Sequence, residues 1–583
     1  MVSSGGRRAK RVFASFSAHA PRDGTGGGAR AALALNGNLG WVLALALCAA
    51  YLAFFVQLTS FPLQDYPNHV ARGAVMADLL FHHGARWGQQ FTVQPMVVPY
   101  ILGDLILAVT MELFGTAGGA GVFTALVLLS LPCALLFYMS VNRLAPQARL
   151  LVFLVGLYLS TDWFLLMGFM AFRLAVAGVV FTLALADLLR ARWSVPMFAV
   201  YVCALLLCYL VHLSWLVFFV VVLGISGAFR WWFGTTSIRR EIVLWVPMLV
   251  LLAWQFLLVS SHEEGTPAPF PLAWGSITLK LVSLLTGLEG FGGHLAQLLI
   301  VLLILCIFWP IRHWLLQRQA WLQPPVLEQL AIAAAFLAIY IILPRELEYS
   351  TFIDLRALPI LVLFGIFAVL RVPPRDSRGR EFSTTPVLVL ALLLATGNLA
   401  YLMYHVGQSN AWMSRYRMVV QAIPAGAKVL SVYTGRQADL RPFVHAGSFV
   451  VLDRGGITPY LFGGDRGDPM TYFRYRQRPY RPAENWYDAQ RLRNLAATGA
   501  KTDPQTHLGL VPNEAGTKRW YETTATPDWS RVACNYDFLL LTMPFDQKLI
   551  GVRARTVAIN QSAALLKVDT DQQSCPHGGA TGR

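Results

Sequence analysis

The sequence predicts an α-helical polytopic membrane protein that ends in a small C-terminal α/β domain, and three observations predict it. Hydrophobic residues make up 56 % of the 583 and charged residues only 13 %, about half the ~25 % charge of an average soluble chain. Mean hydropathy is +0.52. About eleven apolar stretches read as spans, and Lys and Arg recur in every second loop between them. A disordered chain, a secreted disulfide scaffold and a cytosolic nucleic-acid binder are excluded. The formal charge of +16 then reads as topology, and nucleic acid is not an expected partner.

Residues 1–40 carry Arg7, Arg8, Lys10, Arg11, Arg22 and Arg30 against Asp23, with a Gly-rich run at 25–28. That composition predicts a disordered basic tail. The first span, 41–58, lacks a small-residue cleavage site and lies far from the start, so it reads as an anchor and not a removed signal. Further spans are expected near 119–140, 150–162, 164–189, 195–210, 212–229, 242–260, 293–309, 326–343, 356–371 and 386–404. Basic loops hold Arg143 and Arg149, Arg190 and Arg192, Arg230 with Arg239 and Arg240, Arg312 and Arg318, and Arg371 with Arg375, Arg378 and Arg380. The alternate loops are acidic or mixed, at Asp65, Asp162, His262 to Glu264, and Arg345 to Glu348. The N-terminus is therefore expected inside, with a transmembrane domain over 41–405 and a first outer loop over 59–118. Segments 98–115 and 277–288 carry Asp104, Glu112 and Lys280, would spoil the alternation if counted, and read as amphipathic helices at the outer interface.

From 406 the composition changes. Residues 406–583 hold 22 Lys and Arg against 14 Asp and Glu, and form the expected extracytoplasmic domain. Lys428 to Tyr433 and Tyr536 to Thr542 read as strands, and Trp486 to Leu495 as an amphipathic helix. Five cysteines fall within spans and read as packing residues. Cys534 and Cys575, in the outer domain, are candidates for a disulfide. Tyr472 to Arg481 alternates aromatics with arginines and reads as a solvated basic face, with contact to anionic lipid or polysaccharide as the other reading.

The stretch Phe61 to Arg72 concentrates chemistry. Asp65, His69 and Arg72 are spaced i, i+4, i+7, and Pro67 can open a helix there. A carboxylate so placed can take a proton from an incoming hydroxyl, or hold a divalent metal beside a His. It can equally be a helix N-cap. Other polar groups gather at outer span ends: Asp162, Arg173, His212, Glu289 and His294, and the set Arg345, Glu346, Glu348, Asp354 and Arg356. Arg173 reads either as lining a cavity or as an ion pair with Asp162. Arginines suit a lipid phosphate, because their planar fork binds oxygens in pairs.

An early Asp in the first outer loop, interfacial helices, about eleven spans and an outer C-terminal domain resemble the GT-C class of polyprenyl-phosphate-sugar-dependent glycosyltransferases. Segment 98–115 is similar to that class's interfacial helix, and the basic turn Asn142 to Leu144 follows the next span as in the class. The resemblance implies transfer of a sugar from a polyprenyl-phosphate donor, entering from the membrane lipid, to an envelope glycan, lipid or protein acceptor. It implies Asp65 as the acid or base, Asp162 as a second catalytic acid, and Arg345, Arg356 or Arg173 on the donor phosphate. His69, His294 and Glu346 are the candidates for acceptor or metal. No cofactor is required by the residues, with Mg or Mn the candidate metals. The implied location is a bacterial inner membrane. Many members pair the first-loop Asp with a neighbouring acid, whereas Tyr66 follows here. Two other classes therefore stay open: a non-catalytic scaffold for envelope polymer, and a lipid or solute transporter, for which polar groups would reach the bundle midplane.

Overall fold

The computed structural model describes residues 38–94, 96–260, 272–286, 322–347, 350–371, 385–434, 444–464, 472–484, 486–497 and 525–569. The expected tail up to residue 37, the span at 293–309, His294 and Cys575 fall outside them. Helix α1 (Asn38–Val56) is apolar along its whole length. Helix α2 (Tyr66–Phe81) has Pro67 in its first turn, where the fixed φ suits the helix and the missing N–H would be unpaired anyway. Strand β1 (Phe91–Val93) leads to α3 (Ile101–Val141), a 41-residue helix broken at Gly115, whose φ is 71°. The expected surface helix and the span after it are the two arms of α3.

Helices α4 (Pro146–Leu159), α5 (Trp163–Leu166), α6 (Met170–Ala191), α7 (Val195–Val211), α8 (Leu213–Trp232) and α9 (Ile238–Ser260) follow on short turns. Then come β2 (Leu272–Ala273), α10 (Ile277–Thr286), α11 (Pro324–Ile342), β3 (Glu346–Leu347), β4 (Ser350–Thr351), α12 (Leu358–Leu370) and α13 (Thr385–Val420). Among the described residues, eight helices are long and apolar enough to cross a membrane. Two expected spans are shorter: α7 has 17 residues and α12 has 13. At 1.5 Å per residue α12 extends about 20 Å, less than the ~30 Å of hydrocarbon. The protein is a polytopic helical membrane protein with a small C-terminal α/β region.

The residues fall into two compact units: 1–52, 126–163 and 171–399 in the first, and 53–125, 164–170 and 400–583 in the second. The first unit buries ionised groups in pairs. Arg190 holds Glu241 in a two-pronged bond at 2.9 and 2.8 Å and reaches Asp187 at 3.0 Å. Arg230 bridges Asp187 at 3.0 Å and Glu328 at 3.2 Å. Lys280 of α10 donates to the carbonyls of Tyr340, Ile341 and Leu343 at 2.7–2.8 Å. It thereby satisfies the C-terminal carbonyls of α11 that no helical N–H can reach. That is why an apolar helix carries a lysine.

In the second unit β5 (Val429–Val432), α14 (Ser448–Arg454), β6 (Phe473–Tyr475), α15 (Trp486–Ala497), α16 (Trp529–Asn535), β7 (Phe538–Thr542), β8 (Ala554–Ile559) and β9 (Ala563–Val568) follow one another. The sheet order is β5-β7-β9-β8, with β5 and β7 parallel and the other pairs antiparallel. Strand β7 is buried at every position, as its unbroken run of Leu demands. Leu430, Trp486, Val532, Leu539 and Leu566 meet in one core beside it. Cys534 is disulfide-bonded.

The Tyr472 to Arg481 run is not a solvated face at its start. Tyr472, Phe473 and Tyr475 are buried, and β6 pairs antiparallel with β1, Phe91 opposite Tyr475. The arginines anchor backbone: Arg476 donates to Gly88 O at 2.7 Å, and Arg478 donates to Gly463 O and lies over the Tyr475 ring at 4.2 Å. Aromatic burial on a ladder outweighs the solvation of alternating charges, because the stems of Arg cover apolar rings while their heads find carbonyls.

Candidate active site

The chain arrives at Asp65 held by its backbone. Gln64 N–H donates to Leu166 O at 3.1 Å and Asp65 N–H to Met167 O at 3.0 Å. Gly168, at φ 81°, permits this, since a Cβ there would come within 2.6 Å of Tyr66 N and 2.7 Å of Asp65 N. Asp65 then occupies the N-cap of α2, yet its side chain makes no capping hydrogen bond. Its carboxylate turns to His445 instead, with Oδ1 3.4 Å from Nε2. The other ring nitrogen, Nδ1, lies 3.2 Å from Glu484 Oε1.

His445 sits in the turn before α14, where Ser448 N–H donates to His445 O at 3.0 Å. Gly447 closes that turn onto β5: a Cβ on it would fall 2.1 Å from Ser431 Oγ. The side chains of Asp65, His445 and Glu484 are 13 %, 9 % and 32 % exposed, so exposure is least at the ring and greatest at Glu484. Burial alone would lower the imidazole pKa, but the facing Glu484 and Asp65 carboxylates overcome it and push His445 up to about 10. The ring is therefore an imidazolium at neutral pH, bracketed by two carboxylates.

One face of α2 carries the rest. Asn68 is fully buried; its amide donates to Tyr460 O at 2.8 Å and its Oδ1 accepts from Phe462 N–H at 2.7 Å. That clamp fixes Phe462, whose ring meets both His445 and His69 edge-on, at 4.7 and 5.7 Å between centroids. His69 Nδ1 lies 3.7 Å from Asp104 Oδ1. Arg72 pairs with Asp104 and donates to the Tyr472 hydroxyl, which itself donates to Asp104. Asp104, the charge that seemed out of place in an apolar helix, is the buried partner of Arg72.

The expected site residues separate as follows. Asp65 and His69 share α2 and lie in the second unit. Asp162 and Arg173, in the first, form a buried pair at 2.9 Å with side chains 1 % and 2 % exposed. Arg173 also donates to Leu159 O at 2.5 Å. The ion pair open at the sequence level is thus present. Arg345, also in the first unit, is buried and lies over the Phe352 ring at 5.2 Å. Arg356 lies over Phe172 at 5.9 Å. Glu346 enters the short β2-β3-β4 sheet through its backbone, and nothing is described of its side chain.

No group of three or more His, Cys, Asp or Glu among the described residues could hold a metal ion. The donors explain why. His445 faces a carboxylate with each ring nitrogen, which favours the protonated ring and leaves no lone pair to ligate. Asp104 beside His69 is already engaged by Arg72 and Tyr472. These residues do not fit Mg or Mn. His445 and Glu484 were missed by sequence reasoning, since no spacing links them to a residue so far back in the chain as Asp65.

No family model matches the chain, and no curated protein matches it. Among solved structures it is similar to ArnT from Cupriavidus metallidurans bound to undecaprenyl phosphate, at 14 % identity, over 91 % of this chain and 98 % of that one, with a TM-score of 0.49. It is similar to the same protein in the apo state at 13 % identity, over 93 % and 99 %, with a TM-score of 0.48. At such identities and TM-scores the likeness is too distant to carry chemistry.

Proposed function

We propose that the chain is a membrane glycosyltransferase of GT-C type, moving a sugar from a polyprenyl-phosphate donor to an envelope glycan, lipid or protein acceptor, with Asp65 as the base. The observation that carries the reading is the Asp65 carboxylate: it stands at a helix start without capping it and faces an imidazolium. A carboxylate turned away from its own helix start is placed to receive a proton when a hydroxyl approaches.

In the reaction the acceptor oxygen attacks the anomeric carbon as the bond to the lipid phosphate breaks. The centre passes through oxocarbenium character, as in glycoside hydrolysis. The acceptor's proton goes to Asp65, and the lipid phosphate leaves with the bonding electrons and needs no proton. Arginine stabilises that leaving charge, and Arg345 and Arg356 are the residues we assign to it. Asp162, paired in this way, supports the fold around it more readily than it accepts a proton. The charge alternation of the sequence, taken with its resemblance to the GT-C class, supports a bacterial inner membrane, with residues 406–583 on the extracytoplasmic side.

The test is transfer by the purified full chain from a panel of radiolabelled polyprenyl-phosphate sugars to cell-envelope extract, with Asp65→Ala beside the wild type. We expect transfer by the wild type and a fall of about 10²–10⁴ in rate for the variant. No transfer across the panel, or an active variant, overturns the reading and favours a scaffold or transporter.

A further inference from the structure

We propose that His69 and Phe462 form an acceptor subsite beside Asp65 that takes a carbohydrate, with His69 Nε2 bonded to a hydroxyl next to the one that reacts and the Phe462 ring covering the C–H face of the sugar. The proposal rests on the reading of Asp65 as the base and adds what the acceptor is. Of residues 66–73 in α2, all are buried except His69. Asp65 and His69 are thus the open positions at this end of the helix, with side chains 13 % and 23 % exposed. Residues four apart stack one turn above another, about 5–6 Å between Cβ atoms, so a ligand lying along α2 meets both.

The surroundings of His69 leave one atom for that ligand. Its Nδ1 lies 3.7 Å from Asp104 Oδ1, and this buried carboxylate favours the proton on Nδ1. Nε2, which has no hydrogen-bond partner among the described residues, then offers a lone pair. Phe462 stands between the two sides of the site, its ring edge-on to His445 and to His69, and is itself partly exposed. The Asn68 clamp on Phe462 N–H and Tyr460 O keeps the ring there, so a fully buried amide positions an open aromatic. A base, a hydrogen-bond acceptor one turn away and a fixed apolar ring suit a polyhydroxy ring. Neighbouring hydroxyls on a pyranose are near enough for Asp65 and His69 to hold one each, and its C–H face covers apolar surface. A serine side chain or a simple lipid alcohol offers neither a second hydroxyl nor such a face.

The experiment is the transfer assay with the purified full chain, its acceptors split into three fractions of the cell-envelope extract: glycans with glycolipids, unglycosylated peptides, and lipids without sugar. Label should enter the first. Label entering only peptides or sugar-free lipids overturns the proposal. With the glycan fraction as acceptor, His69→Leu and Phe462→Leu should each raise the acceptor KM about tenfold, while donor KM and melting temperature stay near wild type. His69→Gln and Phe462→Tyr should recover most of the loss. A residue that only packs would shift the melting temperature and both KM values together; that result, or an unchanged acceptor KM in His69→Leu, also overturns the proposal. If the wild type transfers nothing, or Asp65→Asn stays active, the base reading falls and the subsite with it. If Asp65→Asn is dead while His69→Leu and Phe462→Leu keep the wild-type acceptor KM, the subsite alone falls.

Discussion

Asp65 stands at the N-cap of α2 with no capping hydrogen bond, and its carboxylate lies 3.4 Å from His445 Nε2. An Asp at that position ordinarily accepts from the second or third N–H of its helix and contributes ~1 kcal/mol. Here that capacity is turned to a residue in the C-terminal region of the chain. The helix start is kept by backbone bonds to Leu166 and Met167 and by Pro67.

Asp65→Ala should therefore leave the helix intact. The variant should keep its helical circular dichroism in detergent, since no cap is lost, and should melt lower only by what the buried His445 imidazolium loses with one of its two carboxylates. A loss of helical signal would mean that the carboxylate holds the helix start.

Asn68→Ala should be the costly change on the same helix face. The amide is wholly buried and serves Tyr460 O and Phe462 N–H together. Removing it strands both backbone groups, at about 2–4 kcal/mol for the two. Because the clamp also fixes Phe462 between two histidines, transfer should fall along with stability. Unfolding and rate measurements on the purified variant check both, and a variant that keeps wild-type stability contradicts the clamp.

The His445 ring gives a pH dependence whose sign follows from its surroundings. Its folded pKa is raised to about 10, above the ~6.5 of a free imidazole. Between these values the folded state holds a proton that the unfolded state has lost. The ring's contribution is thus complete below about pH 6.5 and disappears as pH rises through about 10. Melting temperature should decline between about pH 6 and pH 9, and the decline should be shallower in Glu484→Gln, which removes one of the two carboxylates. Parallel slopes in the two proteins would deny the coupling.

The membrane region was legible because hydropathy and charge act locally: each apolar stretch and basic loop announces itself within twenty residues. Strands β5 and β7 were legible for the same reason. Gly115 hid the continuity of α3, since an apolar helix broken at one residue reads as two. Tyr472 to Arg481 misled because alternating aromatics and arginines look the same whether the rings face water or a second strand, and the partner, β1, is almost 400 residues away. Asp65 was visible through its spacing with His69 and Arg72. His445 and Glu484 were not, because a lone His in a Val-His-Ala-Gly turn and a lone Glu after Pro482 carry no pattern. Long-range pairing selected them.

The buried charges of the first unit are read differently, as structure. Arg190 and Arg230 meet Asp187, Glu241 and Glu328, with Ser226 bonded among them, and Arg371 donates to Tyr138 and Asn142 beside them. The charges balance, and the acids are engaged by arginines. Breaking one pair leaves the other charge in a water-poor interior, which costs about 3–5 kcal/mol, whereas replacing both partners by apolar groups of similar size is often neutral. Glu241→Ala should therefore lower the melting temperature steeply, and Arg190→Met with Glu241→Leu should restore much of it, though Asp187 then keeps only Arg230. Unfolding of the two variants side by side decides the matter: a double variant as unstable as the single one would mean that the network is held for its polarity and not for its packing.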